Sequence, residues 1–301
     1  MRGLLFRLIL TVTGWGWVRR LFTMRAGRRL AMRFVAGESL DEAVAVARRL
    51  NGRGFSVSLD HLGEHVTGHE EAERARDDYL ACIARIGSEG LDANVSIKLT
   101  QLGLGLDDEL ALVSLESLAA AAAAIGSTVT IDMEESAYTE RTIALYETAQ
   151  RRFGNLGLAL QAYLLRTPAD LDRILPLGGH VRLCKGAYDE PAEVAHQRGS
   201  EVDASFDRLA TLLMAAETTH PAIATHDERR IDHVRAHTRG GPFEFQMLYG
   251  VRGRLQSELR EAGHAVRLYV PYGDRWYPYL TRRIAERPAN LWFFLRALVG
   301  R

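Results

Sequence analysis

The chain has 301 residues, 47% of them apolar, which is enough to bury a large core in one barrel-sized domain or in two smaller ones. Lysine plus arginine and aspartate plus glutamate both number 38, so the net charge is zero and a nucleic acid is disfavoured as the main partner. Cys82 and Cys184 lie far apart without CxxC spacing. We interpret both as reduced thiols of a cytosolic protein, which also disfavours a zinc site.

Residues 1–35 are predicted to form a separate N-terminal helical segment. An apolar run from Leu8 to Val18 lies between arginines and is too short to span a bilayer as a helix. The run has the length of a signal-peptide core, but no clear small-x-small cleavage site follows it. We favour an amphipathic helix that packs on the fold, with membrane-surface contact and a targeting role as the alternatives.

From residue 36 onward, β-rich runs alternate with helical patterns such as 40–52 and the Ala- and Leu-rich stretch 109–126. The predicted strands are 55–60, 94–99, 128–133, 156–164, 180–186, 222–227, 243–248 and 266–271. Eight such βα units in about 250 residues favour a single closed (β/α)₈ barrel over residues 36–301. An open doubly wound sheet is the alternative, and the missing GxGxxG after the first strand counts against a dinucleotide-binding version of it.

Polar residues occur at nearly every predicted strand end, where a (β/α)₈ barrel forms its active site. They are Asp60, Glu64, Lys98, Asp132, Glu134, Gln161, Arg182, Lys185, Tyr188, Thr225, His226, Asp227, Gln246 and Tyr269. Because buried charges are costly unless paired, this ring predicts a polar ligand and internal ion pairs. Lys98 could instead be a solvated strand end or a structural partner of Asp132, and His226 could have a purely structural role. No HxH or HExxH spacing is present, which disfavours a metal site.

Two segments carry a more specific signal. In 182-RLCKGAYDEP-191, Arg182 and Lys185 suit an anionic or electron-rich cofactor, and Gly186 allows close approach to the backbone, although a simple turn also favours glycine. The second, 275-RWYPYLTRRIAER-287, is predicted to be a helix. Its paired Arg282 and Arg283 suit bidentate capture of a carboxylate, whereas the plain alternative is a solvated salt bridge with Glu286.

The chain resembles the bacterial proline dehydrogenase family, which includes the dehydrogenase domain of bifunctional proline utilisation flavoproteins. The resemblance runs from 33-RFVAGESLDEA-43 to the end of the chain. It is carried by the ordered motifs SLDHLGE, SIKL, TIDME, QAYL, VRLCKGAY, ATHD, FQMLYG, RLYVPYG and YLTRRIAERPAN. KGAY followed by YxxRRxxE is the most specific part. One departure is Cys184, where the family pattern has an aliphatic residue.

The resemblance implies a distorted barrel that holds FAD without a Rossmann domain, with the final helix over the barrel mouth. It implies oxidation of L-proline to Δ1-pyrroline-5-carboxylate, with electrons passed from FAD to a membrane quinone. A cytoplasmic location follows, and peripheral contact with the inner face of the cell membrane stays open.

The resemblance also assigns site residues. Arg282, Arg283 and Lys98 match the groups that face the proline carboxylate, and Glu64 matches an acidic residue that pairs with Arg282 to close the site. Tyr269, Tyr279 and Leu248 match the walls of the proline pocket, and Asp132 lies near the flavin and Lys98. The implied flavin contacts are Asp132, Met133, Gln161, Arg182, Lys185, Gly186, Ala187, Tyr188, Thr225, His226, Gln246 and Glu286.

Three other functions are weighed against this one. A related flavoenzyme could act on hydroxyproline or another cyclic amino acid, although Tyr269 narrows the pocket in favour of an unsubstituted ring. A flavin-free barrel lyase could use Lys98 to form a Schiff base. A non-enzymatic protein could sense proline or flavin.

Overall fold

The computed structural model of the chain describes residues 32–63, 66–238 and 240–286, with side chains of the last helix as far as Thr281. The predicted helical segment at residues 1–35 therefore lies almost wholly outside the described residues. Described strands are β1 Ser56–His61, β2 Ala93–Ile97, β3 Val129–Ile131, β4 Leu156–Gln161, β5 Gly179–Cys184, β6 Thr219–Ala224, β7 Glu244–Leu248 and β8 Ala265–Tyr272. Described helices are α1 Leu40–Asn51, α2 His69–Ser88, α3 Asp108–Ala124, α4 Ser136–Phe153, α5 Thr167–Ile174, α6 Gly199–Ala215, α7 Glu228–His237, α8 Gly253–Glu261 and α9 Trp276–Glu286.

The eight strands close into one parallel barrel in chain order, because β1 pairs with both β2 and β8. In the closing pair, Val57 lies beside Leu268 and Leu59 beside Val270. The barrel prediction is confirmed and the open doubly wound sheet is excluded. Several strands are shorter than predicted: β3 covers three residues, and β4 ends at Gln161 rather than at residue 164.

Alternation along the strands separates an apolar outer face from a polar lumen. On β1, Val57 and Leu59 are fully buried members of the hydrophobic core between strands and helices. The intervening Ser58 instead donates to Asn94 Oδ1 of β2 at 2.5 Å, and Asn94 donates to Thr130 Oγ1 of β3 at 3.1 Å. The lumen is thus filled by hydrogen-bonded polar groups rather than by the branched apolar layers common in such barrels.

The first and last described helices depart from the usual arrangement of a (β/α)₈ barrel, in which the helix after the last strand packs on the outside. Ser39 caps α1 by accepting a bond from the Glu42 amide, and α1 packs against both β1 and β8 on the outside. The outer position beside β8 is therefore filled from the N-terminal side. The helix that follows β8, α9, places Tyr279 in a cavity at the strand ends, so it lies over the mouth as predicted.

Candidate active site

A cavity of about 260 Å³ opens at the C-terminal ends of the strands. Its lining includes fifteen of the residues expected at the site: Lys98, Asp132, Met133, Gln161, Arg182, Lys185, Gly186, Ala187, Tyr188, Thr225, His226, Gln246, Leu248, Tyr269 and Tyr279. Four expected groups cannot be placed: Glu64 and the side chains of Arg282, Arg283 and Glu286 lie outside the described residues. Every described residue that the family resemblance assigns to the proline or flavin site therefore lines the cavity, whereas Asp60, Glu134 and Asp227 of the polar strand-end ring do not.

Lys98 lies at the centre of a buried charge cluster. Its Nζ is 3.0 Å from Asp60 Oδ1, 3.4 Å from Asp132 Oδ2 and 3.4 Å from the Tyr269 hydroxyl. Asp60 is fully buried, and the Tyr79 hydroxyl lies 3.5 Å from the same oxygen. The expected pairing of Lys98 with Asp132 is present, but the shorter contact is with Asp60, which the sequence placed in the polar ring without assigning it to Lys98.

Asp132 carries the second half of this cluster. Its carboxylate accepts from Ser96 Oγ at 2.8 Å and from the Tyr269 hydroxyl at 2.8 Å, and it forms an ion pair with Arg182. Burial alone would raise the pKa of Asp132, but the charges of Arg182 and Lys98 outweigh it and lower that pKa. The carboxylate is therefore ionised at neutral pH. Lys98 and Arg182 supply two positive charges and Asp60 and Asp132 two negative ones, so the cluster as a whole is close to neutral.

Arg182 is held by the lumen on one side and lines the cavity on the other. Its Nε donates to Gln246 Oε1, its Nη1 donates to Ser96 Oγ at 2.9 Å, and its guanidinium lies 5.4 Å from the centroid of the Tyr269 ring. Nη2 is buried without a hydrogen-bond partner among the described residues. Because an unpaired buried N–H is costly, this fixed cation fits an electron-rich ligand in the cavity.

A second polar layer supports Gln246 from below. Its amide nitrogen donates to Glu244 Oε1 at 2.6 Å and lies 3.0 Å from His180 Nε2, while Arg267 Nε donates to Glu244 Oε1 at 2.9 Å. Burial lowers the pKa of His180 to about 3 despite the nearby Glu244 charge, so the ring is neutral. Sequence reasoning missed this layer. The available signal was the two-residue spacing that places His180 below Arg182 and Glu244 below Gln246 on the lumen face.

Gln161 and the turn after β5 form another wall. Gln161 Nε2 donates to the Glu134 carbonyl at 2.9 Å, and its Oε1 accepts from the Ala187 amide at 3.4 Å. Gly186 has φ +116°, and a Cβ there would lie 2.3 Å from Cδ1 of the Tyr163 ring. The requirement for glycine therefore comes from Tyr163 as well as from the turn.

Lys185 is held by two carboxylates. Its Nζ donates to Asp203 Oδ1 at 2.5 Å and to Asp227 Oδ2 at 2.7 Å. Burial would raise the pKa of Asp227, but the hydrogen bond and charge of Lys185 lower it. Lys185 is therefore a fixed ammonium at the cavity wall, one-third exposed and already neutralised by protein groups.

The ends of β6 and β7 are joined by a side-chain contact. The Leu248 amide donates to His226 Nε2 at 3.0 Å, and the Asp227 amide donates to Thr225 Oγ1 at 3.1 Å. These bonds fix His226, Thr225 and Leu248 where they line the cavity.

The mouth is covered by the first part of α9. Tyr279 and Leu280 are buried, and the indole Nε1 of Trp276 donates to Glu38 Oε1 at 3.0 Å. This bond ties the helix to the segment that precedes α1.

Cys82 is buried and Cys184 partly buried, both as free thiols, and Cys184 lines the cavity. Among residues 32–63, 66–238 and 240–286, no group of three or more His, Cys, Asp or Glu side chains is arranged to hold a metal ion. None of the described helices is both long and apolar enough to cross a membrane.

The chain is similar to known proteins of one family. The sequence profile described as Proline dehydrogenase matches residues 43–296. Proline dehydrogenase 1 of Bacillus subtilis subsp. natto is 39% identical over 284 residues, covering 92% of this chain and 94% of that protein. Proline dehydrogenase of Deinococcus radiodurans is 38% identical over 280 residues, covering 90% of each chain.

A solved structure supports the fold. The crystal structure of proline utilization A from Bdellovibrio bacteriovorus, inactivated by N-propargylglycine, matches with a TM-score of 0.78 over 84% of this chain and 32% of that chain. At 23% sequence identity, this likeness bears on the fold alone. The profile match and the two relatives confirm the resemblance carried by the motifs, and the chain belongs to the proline dehydrogenase family of oxidoreductases.

Proposed function

We propose that this chain oxidises L-proline to Δ1-pyrroline-5-carboxylate as the first step of proline catabolism, with FAD as the hydride acceptor and a membrane quinone as the final acceptor. The observation that carries the proposal is the cavity, which collects all the described residues expected to contact proline or the flavin. Family membership supplies the reaction class.

Arg182 and its neighbours suit the flavin. The buried Nη2 of Arg182 would donate to an electron-rich ring atom and would stabilise the negative charge of the reduced cofactor. Gln161 at the end of β4, and Ala187 and His226 in the turns after β5 and β6, would contact it from the cavity walls. The hydrogen bonds to Ser96 and Gln246 fix Arg182 before any ligand arrives, so little reorganisation is needed.

The substrate carboxylate needs further positive charge. The charges of Lys98 and Arg182 are already balanced by Asp60 and Asp132, so the cluster alone gives an anion little net attraction. Positions 282 and 283 follow Tyr279 by three and four residues, a spacing that favours one face of a helix. We therefore expect Arg282 and Arg283 to supply the clamp, with Lys98 as the third cation and Glu64 closing the site by pairing with Arg282.

Orientation and electrostatics are the protein's share of catalysis. The clamp would fix the carboxylate while Tyr269, Tyr279 and Leu248 hold the ring against the flavin. The substrate amine must be neutral to lose a hydride, so turnover should rise with pH across about 6–9. Lys98 is a poor candidate for a Schiff-base nucleophile because its amine is paired with two carboxylates.

The first test is a flavin spectrum recorded without oxygen before and after addition of L-proline. Bleaching of the bound flavin is expected, whereas a colourless protein that cannot be reconstituted with FAD would exclude the proposal. Turnover of proline and hydroxyproline, measured side by side, tests whether Tyr269 limits the ring pocket.

A second test addresses the clamp. Arg283→Met should raise KM for proline by several orders of magnitude while the protein keeps its FAD, since a desolvated carboxylate would lose one bidentate partner that Arg282 and Lys98 cannot replace. An unchanged KM would refute the clamp without refuting the activity.

A further inference from the structure

Arg252 has an unusual backbone conformation next to the cavity. It lies in the turn between β7 and α8 with φ 53° and ψ 44°, and among the described residues it is the one non-glycine residue with positive φ. Left-handed backbone is unfavourable for a side chain with a Cβ, so it persists where surrounding contacts compensate for it. Such outliers concentrate at functional sites.

Two contacts hold the Arg252 side chain. Its Nη1 donates to the His226 carbonyl at 2.6 Å, and its Nη2 forms an ion pair with Glu228. The turn itself is fixed by neighbours: the Tyr249 amide donates to the Tyr269 carbonyl at 2.9 Å, and a Cβ at Gly250 would lie 1.9 Å from the Arg33 carbonyl oxygen. The guanidinium therefore acts from a rigid base.

A second bond runs between the same two loops through the His226 ring. Because the Leu248 amide donates to His226 Nε2, that nitrogen is unprotonated and the ring proton lies on Nδ1. Arg252 holds the His226 backbone and Leu248 holds its ring. Together these bonds form a clasp, Arg252–His226–Leu248, that fixes the tautomer and orientation of a ring lining the cavity.

We propose that Arg252 is a positioning residue that acts on the flavin through His226. This inference rests on the proposed function, in which His226 contacts the cofactor. Arg252 does not line the active-site cavity but lies in a separate groove between α7 and α8, so its influence on the flavin would travel through the His226 carbonyl to the His226 ring.

The test uses Arg252→Gly, which keeps the left-handed turn but removes the guanidinium. The expected results are loss of the single-tautomer ring signal of His226, read by ¹⁵N-histidine NMR and assigned with His226→Asn, and a roughly tenfold rise in the dissociation constant of FAD. Arg252→Lys, which can still donate to the carbonyl, should restore both in part. Arg254→Ala removes the same charge from a 93% exposed neighbour and should change neither.

The outcomes separate the two proposals. A wild-type His226 signal in Arg252→Gly would overturn the clasp, as would a wild-type affinity for FAD in a variant whose His226 signal has changed. If the unmodified protein binds no flavin, the proposed function fails. The NMR signal then still decides whether Arg252 sets the tautomer.

Discussion

Replacing Lys98 should cost more stability than replacing its partner Asp60, because Asp60 has no second cation in contact among the described residues, whereas Lys98 also contacts Asp132. Lys98→Met leaves the Asp60 carboxylate fully buried. Within the described part of the chain, its Oδ1 then contacts only the Tyr79 hydroxyl, at 3.5 Å, and its Oδ2 has no hydrogen-bond partner. Asp60→Asn leaves Lys98 with Asp132 at 3.4 Å and with an amide oxygen that can still accept its hydrogen bond.

The magnitudes follow from the cost of an uncompensated buried charge. Lys98→Met should lower the free energy of unfolding by about 3–5 kcal/mol, the range for breaking a buried ion pair from one side. Asp60→Asn should cost about 1–2 kcal/mol, since one charge-assisted bond becomes a neutral one. The double variant removes both charges while Asp132 keeps Arg182, so it should be about 2 kcal/mol more stable than Lys98→Met alone.

Urea unfolding at pH 7, followed by far-ultraviolet circular dichroism at equal flavin content, measures these differences. Arg254→Ala breaks an exposed ion pair with Glu258 and serves as a control that should unfold like the parent. Equal losses for the two single variants, or additive losses in the double variant, would refute the assignment of Asp60 as the principal counter-ion of Lys98.

Three further outcomes are expected. The pKa of Asp132 is lowered because nearby cations outweigh its burial, so its ionisation stabilises the fold above about pH 4. This contribution is lost as pH falls through the lower folded pKa. The free energy of unfolding of Asp132→Asn should therefore change less with pH in the acid range than that of the parent. Gly186→Ala should lower the melting temperature, because its Cβ would meet the Tyr163 ring at 2.3 Å in a backbone region unfavourable for alanine, and Tyr163→Ala in the same protein should recover part of the loss. Trp276→Phe should raise KM for proline several-fold at unchanged FAD content, because it removes the bond to Glu38 that ties α9 to the segment before α1. A change in FAD content alone would contradict this.

The barrel was predictable because its periodic signals are local. Alternation of short β-rich runs with helices fixed the number and order of strands, and Gly126 after the Ala-rich run of α3 marked where that helix stops. Strand ends were less predictable. Residues 162–164 continue an apolar pattern past β4, but the Leu164 amide turns back to the Gln161 carbonyl, while the amides of Ala162 and Tyr163 bond to the carbonyls of Cys184 and Lys185. The last two partners are long-range and have no signature in the sequence.

Site residues were predictable where a single residue is recognisable by itself, and less predictable where the role depends on a contact between two residues. Lys98, Asp132 and Arg182 interrupt apolar strands, so each was visible as a charge in a buried context. Asp60 was equally visible, but its role depends on a 3.0 Å contact with a residue 38 positions away, which the resemblance did not supply. The contact between Arg252 and His226 is also a product of two loops meeting.

The polar lumen explains how this barrel can hold so many charges near its mouth. Arg267 and Glu244 pair below Gln246, Gln246 holds Arg182, and Arg182 holds Asp132, so each charge at the mouth has a partner fixed from beneath. This series of contacts keeps the site close to neutral and rigid before a ligand binds. An amino-acid carboxylate then gains little net attraction from the barrel itself, which is why the proposed clamp assigns most of its counter-charge to α9. Under the proposed clamp, substrate binding and closure of the mouth are therefore one event, since the cations that recognise the carboxylate lie on the helix that covers it.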